Sequence, residues 1–178
     1  DEGLNSYYEM RYMNQYYSDY EAYELPKWLL NPAKSGSVLE NGYLILARDH
    51  ADTPPDSHSD DFTPIAYGLQ VYMKTAMCLR WLEKSLGTER MDAAMQAYYR
   101  QWQFRHPYPD DLRAAWKSVG LTAQETDWWF DAMQTQKQAD FKLTEVEKSD
   151  GDDEPGEPKR EPGSWEIEVV NKGKLDAP

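Results

Sequence analysis

The tyrosines Tyr8, Tyr12, Tyr16 and Tyr20 recur every four residues, with Met10, Met13 and Tyr17 beside them. That period predicts an amphipathic helix from Gly3 to about Tyr23 with its aromatic face buried. From Leu25 to about Phe62 the period dissolves into Pro26, Pro32, Gly36, Gly42, Pro54 and Pro55. A long loop is expected there, holding one strand or turn of helix at Tyr43-Leu44-Ile45-Leu46, and loops of such length tend to line a functional surface. Thr63 as N-cap and Pro64 at the first helical position open a second long helix that Gly87 stops after Leu86. Its apolar residues, among them Leu69, Tyr72, Met73, Ala76, Leu79 and Leu82, occupy nearly every face, which predicts a central position. Thr88 is expected to cap a third helix carrying Met91, Met95, Tyr98, Tyr99 and Trp102, which breaks at His106-Pro107 and packs antiparallel to the second. Pro109 with Asp110 and Asp111 opens a fourth, and the capping box of Thr122 and Glu125 opens a fifth with Trp128, Trp129 and Met133.

After about Gln138 the period changes to two. Phe141, Leu143 and Glu145 alternate with Lys142, Thr144 and Val146, and Trp165, Ile167 and Val169 alternate with Glu166 and Glu168, which predicts two strands. Residues 148–163 between them are acidic, rich in Pro and Gly and without apolar side chains, so a flexible hairpin connection is expected. Two domains follow, a helical one over 1–137 and the start of a β-domain over 138–178. A chain that opens abruptly at Asp1-Glu2-Gly3 and stops where a third strand would begin reads as cut at both ends.

Composition changes this picture in two ways. Leu, Ile, Val and Phe are scarce, yet 7 Trp, 13 Tyr and 7 Met supply the apolar mass of an aromatic, methionine-rich core. Lys+Arg 19 against Asp+Glu 32 gives a formal net charge of −13, which disfavours nucleic acid as a partner. No run is long and apolar enough to span a membrane, and no signal peptide opens the chain. The single Cys78 excludes an internal disulfide framework and any multi-cysteine metal cluster.

His50, His58 and His106 stand in Pro-containing loops at no metal-ligand spacing, and each reads as a surface or loop residue. Asp150-Gly151-Asp152-Asp153-Glu154 lacks the ligand spacing of a calcium loop and reads as a solvated acidic run. There is no phosphate-binding glycine loop and no Gly-x-Ser-x-Gly elbow.

Two stretches carry more. Asp1-Glu2-Gly3-Leu4-Asn5-Ser6-Tyr7-Tyr8 resembles the segment that follows the His-Glu-x-x-His helix in M1-family (gluzincin) zinc aminopeptidases. Val71-Tyr72-Met73-Lys74-Thr75-Ala76, with Leu86-Gly87, Phe104-Arg105-His106-Pro107 and Pro109-Asp110-Asp111-Leu112, resembles the Tyr-x-Lys-Gly helix of that family and a later stretch typical of its bacterial branch. The resemblance implies that Glu2 is the third zinc ligand and that Tyr72 donates its hydroxyl to the tetrahedral intermediate, with Tyr67 as the fallback for that role. Thr75 departs from the family pattern, which has Gly there. Leu39-Glu40-Asn41 has the letters of the family's substrate-amine motif on the wrong side of the zinc helix and is set aside as a chance match.

What the resemblance implies is a mainly α-helical chain: the C-terminal half of a thermolysin-like peptidase domain followed by two strands of a truncated β-sandwich. The parent would be a zinc metallopeptidase removing N-terminal residues from peptides, with the two histidine ligands and the general base outside this chain. The fragment alone is expected to be inactive, to hold no zinc tightly and to self-associate through its exposed truncation surface. The family favours a periplasmic or secreted parent. The alternative is a non-catalytic helical module, either an inactive peptidase homologue kept as a scaffold or a binder that uses its Tyr and Trp surface. Exposed aromatics that survive as a contiguous patch in the intact parent would favour the binder, and burial of Tyr8, Tyr12 and Tyr16 against the zinc helix the peptidase.

Overall fold

A computed structural model describes residues 2–17, 37–148 and 164–176, with the backbone alone for 37–40. The described residues are mainly helical, with one two-stranded antiparallel sheet. They divide after Gln136 into a helical unit and a β unit. None of the described helices is long and apolar enough to cross a membrane. The expected end of the first helix at Tyr20 to Tyr23, the loop over 25–36 and the acidic connection over 149–163 lie outside the described residues.

The helical unit is organised around a rod that starts where the sequence predicts. Thr63 Oγ1 accepts from the Ala66 N–H, Pro64 follows at the first position, and α3 (Pro64–Tyr67) begins. The rod continues as a π-helical turn (Gly68–Lys74) and then as α4 (Thr75–Leu86). Gly87, at φ +83, turns the chain into α5 (Thr88–Trp102) in a conformation that costs a side chain steric strain. Thr88 is not the cap it was expected to be: Gly87 holds that position, and Thr88 Oγ1 instead donates to the Glu83 carboxylate. Around the rod pack α1 (Glu2–Tyr16), α2 (Ser37–Arg48), α5 and α7 (Ala123–Gln134), while α6 (Pro109–Ser118) packs on α5 and α7.

The core is aromatic and methionine-rich, as composition implies. Trp116, Trp129 and Phe130 form a buried cluster with ring centroids 4.9–5.5 Å apart, in the tilted and edge-on geometries that aromatic quadrupoles favour. The Arg113 guanidinium lies 3.8 Å from the Phe130 centroid. Met73, Met91, Met95 and Met133 are buried in the same unit, as are Leu79 and Leu82. α7 opens on the predicted capping box, with Thr122 accepting from the Glu125 N–H and Glu125 accepting from the Thr122 N–H.

Two further expectations fail in the helical unit. Tyr8, Tyr12 and Tyr16 are exposed, and the buried face of α1 is Gly3 and Tyr7, rotated from them by one residue. Both stripes have the same period, so the pattern alone cannot choose between them. Specific contacts do: Tyr7 OH donates to Glu83 on α4 (3.0 Å), and Arg11, one turn on, pairs with Asp92 on α5 (2.5 Å) and with Glu83 (3.5 Å). The second failure is Tyr43-Leu44-Ile45-Leu46, which belongs to the helix α2 and not to a strand or an isolated turn. Leu44 and Ile45 are exposed, and α2 is held through Tyr43, Gly42 and Ala47 against the π turn and its neighbours.

In the β unit β1 (Phe141–Lys148) pairs antiparallel with β2 (Trp165–Asn171). A register shift between Leu143 and Glu145 re-phases β1, so Val146 pairs with Ile167 and joins the apolar face of Leu143 and Val169, where strict alternation would put it on the other. The opposite face sets Glu145 against Glu168 and Glu147 against Glu166. The charge of Glu147 is the main reason the Glu145 carboxyl is raised above its ordinary value.

Candidate functional site

The site begins with a helix that is wider than an α-helix. In an α-helix residues five apart lie about 140° apart around the axis, because each residue turns the chain by about 100°. The i to i+5 hydrogen bonds of a π turn bring such residues towards the same side. Tyr67 and Tyr72, five apart across the turn, accordingly meet edge to face with ring centroids 6.0 Å apart. Thr75 closes the turn, its N–H and its hydroxyl (3.4 Å) both donating to the Gln70 carbonyl.

Glu2, in the first turn of α1, reaches this pair. Tyr67 OH donates to Glu2 Oε1 at 3.5 Å, and Phe62 packs edge-on against the other side of the Tyr67 ring (5.6 Å). The negative charge of Glu2 raises the Tyr67 phenol above its ordinary value, so the group stays protonated and able to donate at neutral pH. Tyr72 is 37 % exposed and projects beside Tyr67. Of the residues singled out in the sequence, the fallback Tyr67 thus contacts both Glu2 and Tyr72, and its hydroxyl donates to the carboxylate.

α1 comes this close because Gly3 lies against Thr75. A Cβ on Gly3 would stand 2.7 Å from the Val71 carbonyl oxygen and closer still to the Thr75 side chain. The small residue at this crossing is therefore on α1, which leaves room for the Thr75 side chain. A cleft of about 210 Å³ opens beside the crossing, lined by Gly3, Val71, Thr75, Tyr98, Trp129 and Met133 among others. Its walls are mostly apolar and can hold an apolar side chain beside Gly3 and Val71.

Behind the π turn lies a polar cluster that sequence reading did not assign. Gln70 and Lys74 are fully buried. Gln70 Oε1 accepts from the Thr53 N–H (2.6 Å), and Lys74 Nζ stands 3.8 Å from Asp52 Oδ2 and donates to the Thr135 carbonyl (3.3 Å). The ammonium also lies 5.9 Å from the centre of the Tyr43 ring. Burial pulls the Lys74 pKa below its ordinary value and pushes the Cys78 thiol, one turn further on, up to about 11. The signal was present as two polar residues four apart on the otherwise apolar stretch 68–74, but nothing in the sequence names Thr53 and Asp52 as their partners.

A zinc ion asks for nitrogen, sulfur or carboxylate donors converging on one point. Glu2 is a suitable oxygen donor, yet no group of three His, Cys, Asp or Glu converges among the described residues. His58 is occupied otherwise, its Nδ1 accepting from the Asp60 N–H at the start of a 3-10 turn (Ser59–Asp61). The chain therefore fits one ligand of a His2Glu set and not the set. No protein-family model, no curated protein and no solved structure matches this chain.

Proposed function

We propose that the chain is part of a zinc-dependent peptidase of the aminopeptidase type, in which Glu2 holds the metal together with two histidines contributed from outside the described residues, and peptides are the substrate. The observation that carries this reading is that Tyr67, the fallback donor, contacts both Glu2 and Tyr72 at the π turn, and so links a residue of each of the two motifs. π turns are rare and occur disproportionately at functional sites, which supports it further. When bound, zinc supplies a Lewis acid for the peptide carbonyl and lowers the pKa of a water towards 7.

The chain's own residues do the rest. Glu2 contributes the anionic ligand, and Tyr67 orients it by donating to one oxygen, the kind of outer contact that fixes a ligand's rotamer. Tyr72, exposed beside that contact, donates its hydroxyl to the oxygen on which negative charge develops, an interaction of about 3 kcal/mol for one such donor. The cleft beside Gly3 and Val71 excludes water from an apolar substrate side chain.

The test is made on the longer protein encoded around this chain. Zinc-dependent release of N-terminal residues, loss of bound zinc in Glu2→Ala and a fall in kcat of about a hundredfold in Tyr72→Phe with zinc retained are expected. Full-length protein that neither binds zinc nor cleaves peptides would overturn the reading. The 178 residues alone are expected to be inactive, and stoichiometric zinc with hydrolysis there would refute that part.

One observation favours the alternative, a non-catalytic helical binder. Tyr8, Tyr12 and Tyr16 form an exposed stripe, with Tyr12 4.9 Å from Tyr16 and 5.9 Å from Tyr17. If the longer protein lacks activity and this stripe stays open to solvent there, the binder gains what the peptidase loses. The same exposed rings would promote the self-association expected of the isolated chain, which a concentration series in analytical ultracentrifugation reads directly.

A further inference from the structure

We propose that Gln70 and Lys74, with the Asp52–Asp56 segment they grip, are positioning residues that set the rotation of the π turn and thereby the place of the Tyr72 hydroxyl. The proposal rests on the reading of Tyr72 as an oxyanion donor.

The π turn has two sides with different jobs. Tyr67 meets Glu2 and Tyr72 on one, and Gln70 and Lys74 meet Asp52, Thr53, Tyr43 and Thr135 on the other. Tyr72 lies midway in sequence between the two buried anchors, so any rotation or slide of the turn carries its hydroxyl along. The segment they grip is itself fastened: the Asp56 N–H donates to the Met133 carbonyl (3.0 Å), Gln134 Nε2 donates to Asp56 Oδ2 (3.2 Å), and Gln136 Nε2 donates to the Asp52 carbonyl. The anchors therefore tie the turn to α7 and not to a free loop.

These groups are poorly chosen for stability alone. Gln70 Nε2 and Asp52 Oδ2 are buried without a hydrogen-bond partner, and the Lys74–Asp52 pair is long at 3.8 Å. Apolar residues of similar volume would avoid the desolvation of two charges and an amide. What apolar residues cannot do is select one rotation, since their contacts change little over tens of degrees. A donor at a reacting oxygen has to be held within about 0.5 Å and 10–20°, and an error near 1 Å costs about a hundredfold in rate. Directional anchors on the far side of the same turn meet that tolerance.

The experiment uses Lys74→Met and Gln70→Leu in the full-length zinc-loaded protein, each alone and combined with Tyr72→Phe. Each is expected to lower kcat tenfold to a hundredfold with KM and zinc content unchanged, and to cause no further loss when Tyr72 is already Phe. Equal losses in both backgrounds, or none with Tyr72 present, would overturn the positioning role. A Tyr72→Phe protein with undiminished kcat would instead remove the donor reading and the proposal with it. If Lys74→Met does not fold, Asp52→Asn carries the same expectation, because it removes the charge pair by exchanging one atom. A second readout needs no activity: in the 178-residue chain the NMR contact between the Tyr67 and Tyr72 rings is expected to disappear in Gln70→Leu and to persist in Leu82→Val, a core change away from the turn. Persistence in Gln70→Leu would overturn the proposal.

Discussion

Replacing Gly3 by Ala sets two effects of opposite sign against each other. On helix propensity alone the substitution stabilises α1, by up to about 1 kcal/mol in a helix interior and by less in a first turn. The packing says otherwise. The new Cβ would lie 2.7 Å from the Val71 carbonyl oxygen and closer to Thr75, whereas ordinary contact begins at 3.4 Å, so α1 and the π turn would have to part by at least about 0.7 Å. Val71 O is main chain and cannot swing aside as a flexible side chain would. Overpacking of this kind costs about 1–3 kcal/mol, and after the propensity gain a net loss of about 1–2 kcal/mol is expected. For a unit of this size that is a fall in Tm of roughly 4–8 °C. Urea or thermal unfolding followed by far-UV circular dichroism reads it, with Asn5→Ala, exposed on the same helix, as the control for propensity alone. Thr75→Gly should recover part of the loss in the double variant, because it clears the side-chain clash and leaves the carbonyl. A Gly3→Ala chain as stable as wild type would refute the close crossing of α1 on the π turn, and with it the route by which Glu2 reaches Tyr67.

Three further outcomes follow from the same structure. Tyr7→Ala should cost about 3–5 kcal/mol by emptying a buried ring site, whereas Tyr12→Ala should change stability by no more than about 0.5 kcal/mol; equal effects in urea titrations would mean that the wrong face of α1 has been placed inside. Hydrogen bonds from Arg90 first, and then from Thr122, lower the Glu125 carboxyl to about 2 from its usual 4.5, so its contribution to stability is complete above about pH 4.5 and fades as pH falls towards 2. Glu125→Gln should flatten the urea midpoint across that window, and an unchanged slope would remove the pair from the acid response. Cys78, with its thiol at about 11, should react with a disulfide reagent at pH 8 roughly two orders of magnitude more slowly than a free cysteine until the chain unfolds, and rapid native labelling would contradict its burial beside Lys74.

How much of this was legible beforehand depended on the range of the interaction concerned. Local signals were read correctly where the physics is local. Thr63-Pro64 and the Thr122–Glu125 box start helices because a side chain and backbone N–H groups three residues away satisfy one another, and Gly87 ends one because its φ is positive. The two strands appeared as a period of two, but the shift between Leu143 and Glu145 that re-phases Val146 did not, since it is a property of the pairing. Of the candidate site, Glu2 and Tyr72 could be named from motif order, and Tyr67 only as a fallback five residues before Tyr72. Their meeting depends on the π turn, which no residue pattern announced.

The sequence by itself determined where the rod, α6 and α7 start and that Gly87 stops the rod, that the chain is mainly helical with a β segment near its end, and that aromatic and methionine side chains build the core. Tertiary structure alone decided which of two equally periodic stripes on α1 faces inward, that Tyr43 to Leu46 is helical, and that Asp52 is the partner of Lys74. Periodicity constrains only the spacing of a face, because every rotation of a helix has the same period. Choosing the rotation takes a contact from another element, here Glu83 for Tyr7, Thr75 for Gly3 and Asp52 for the π turn.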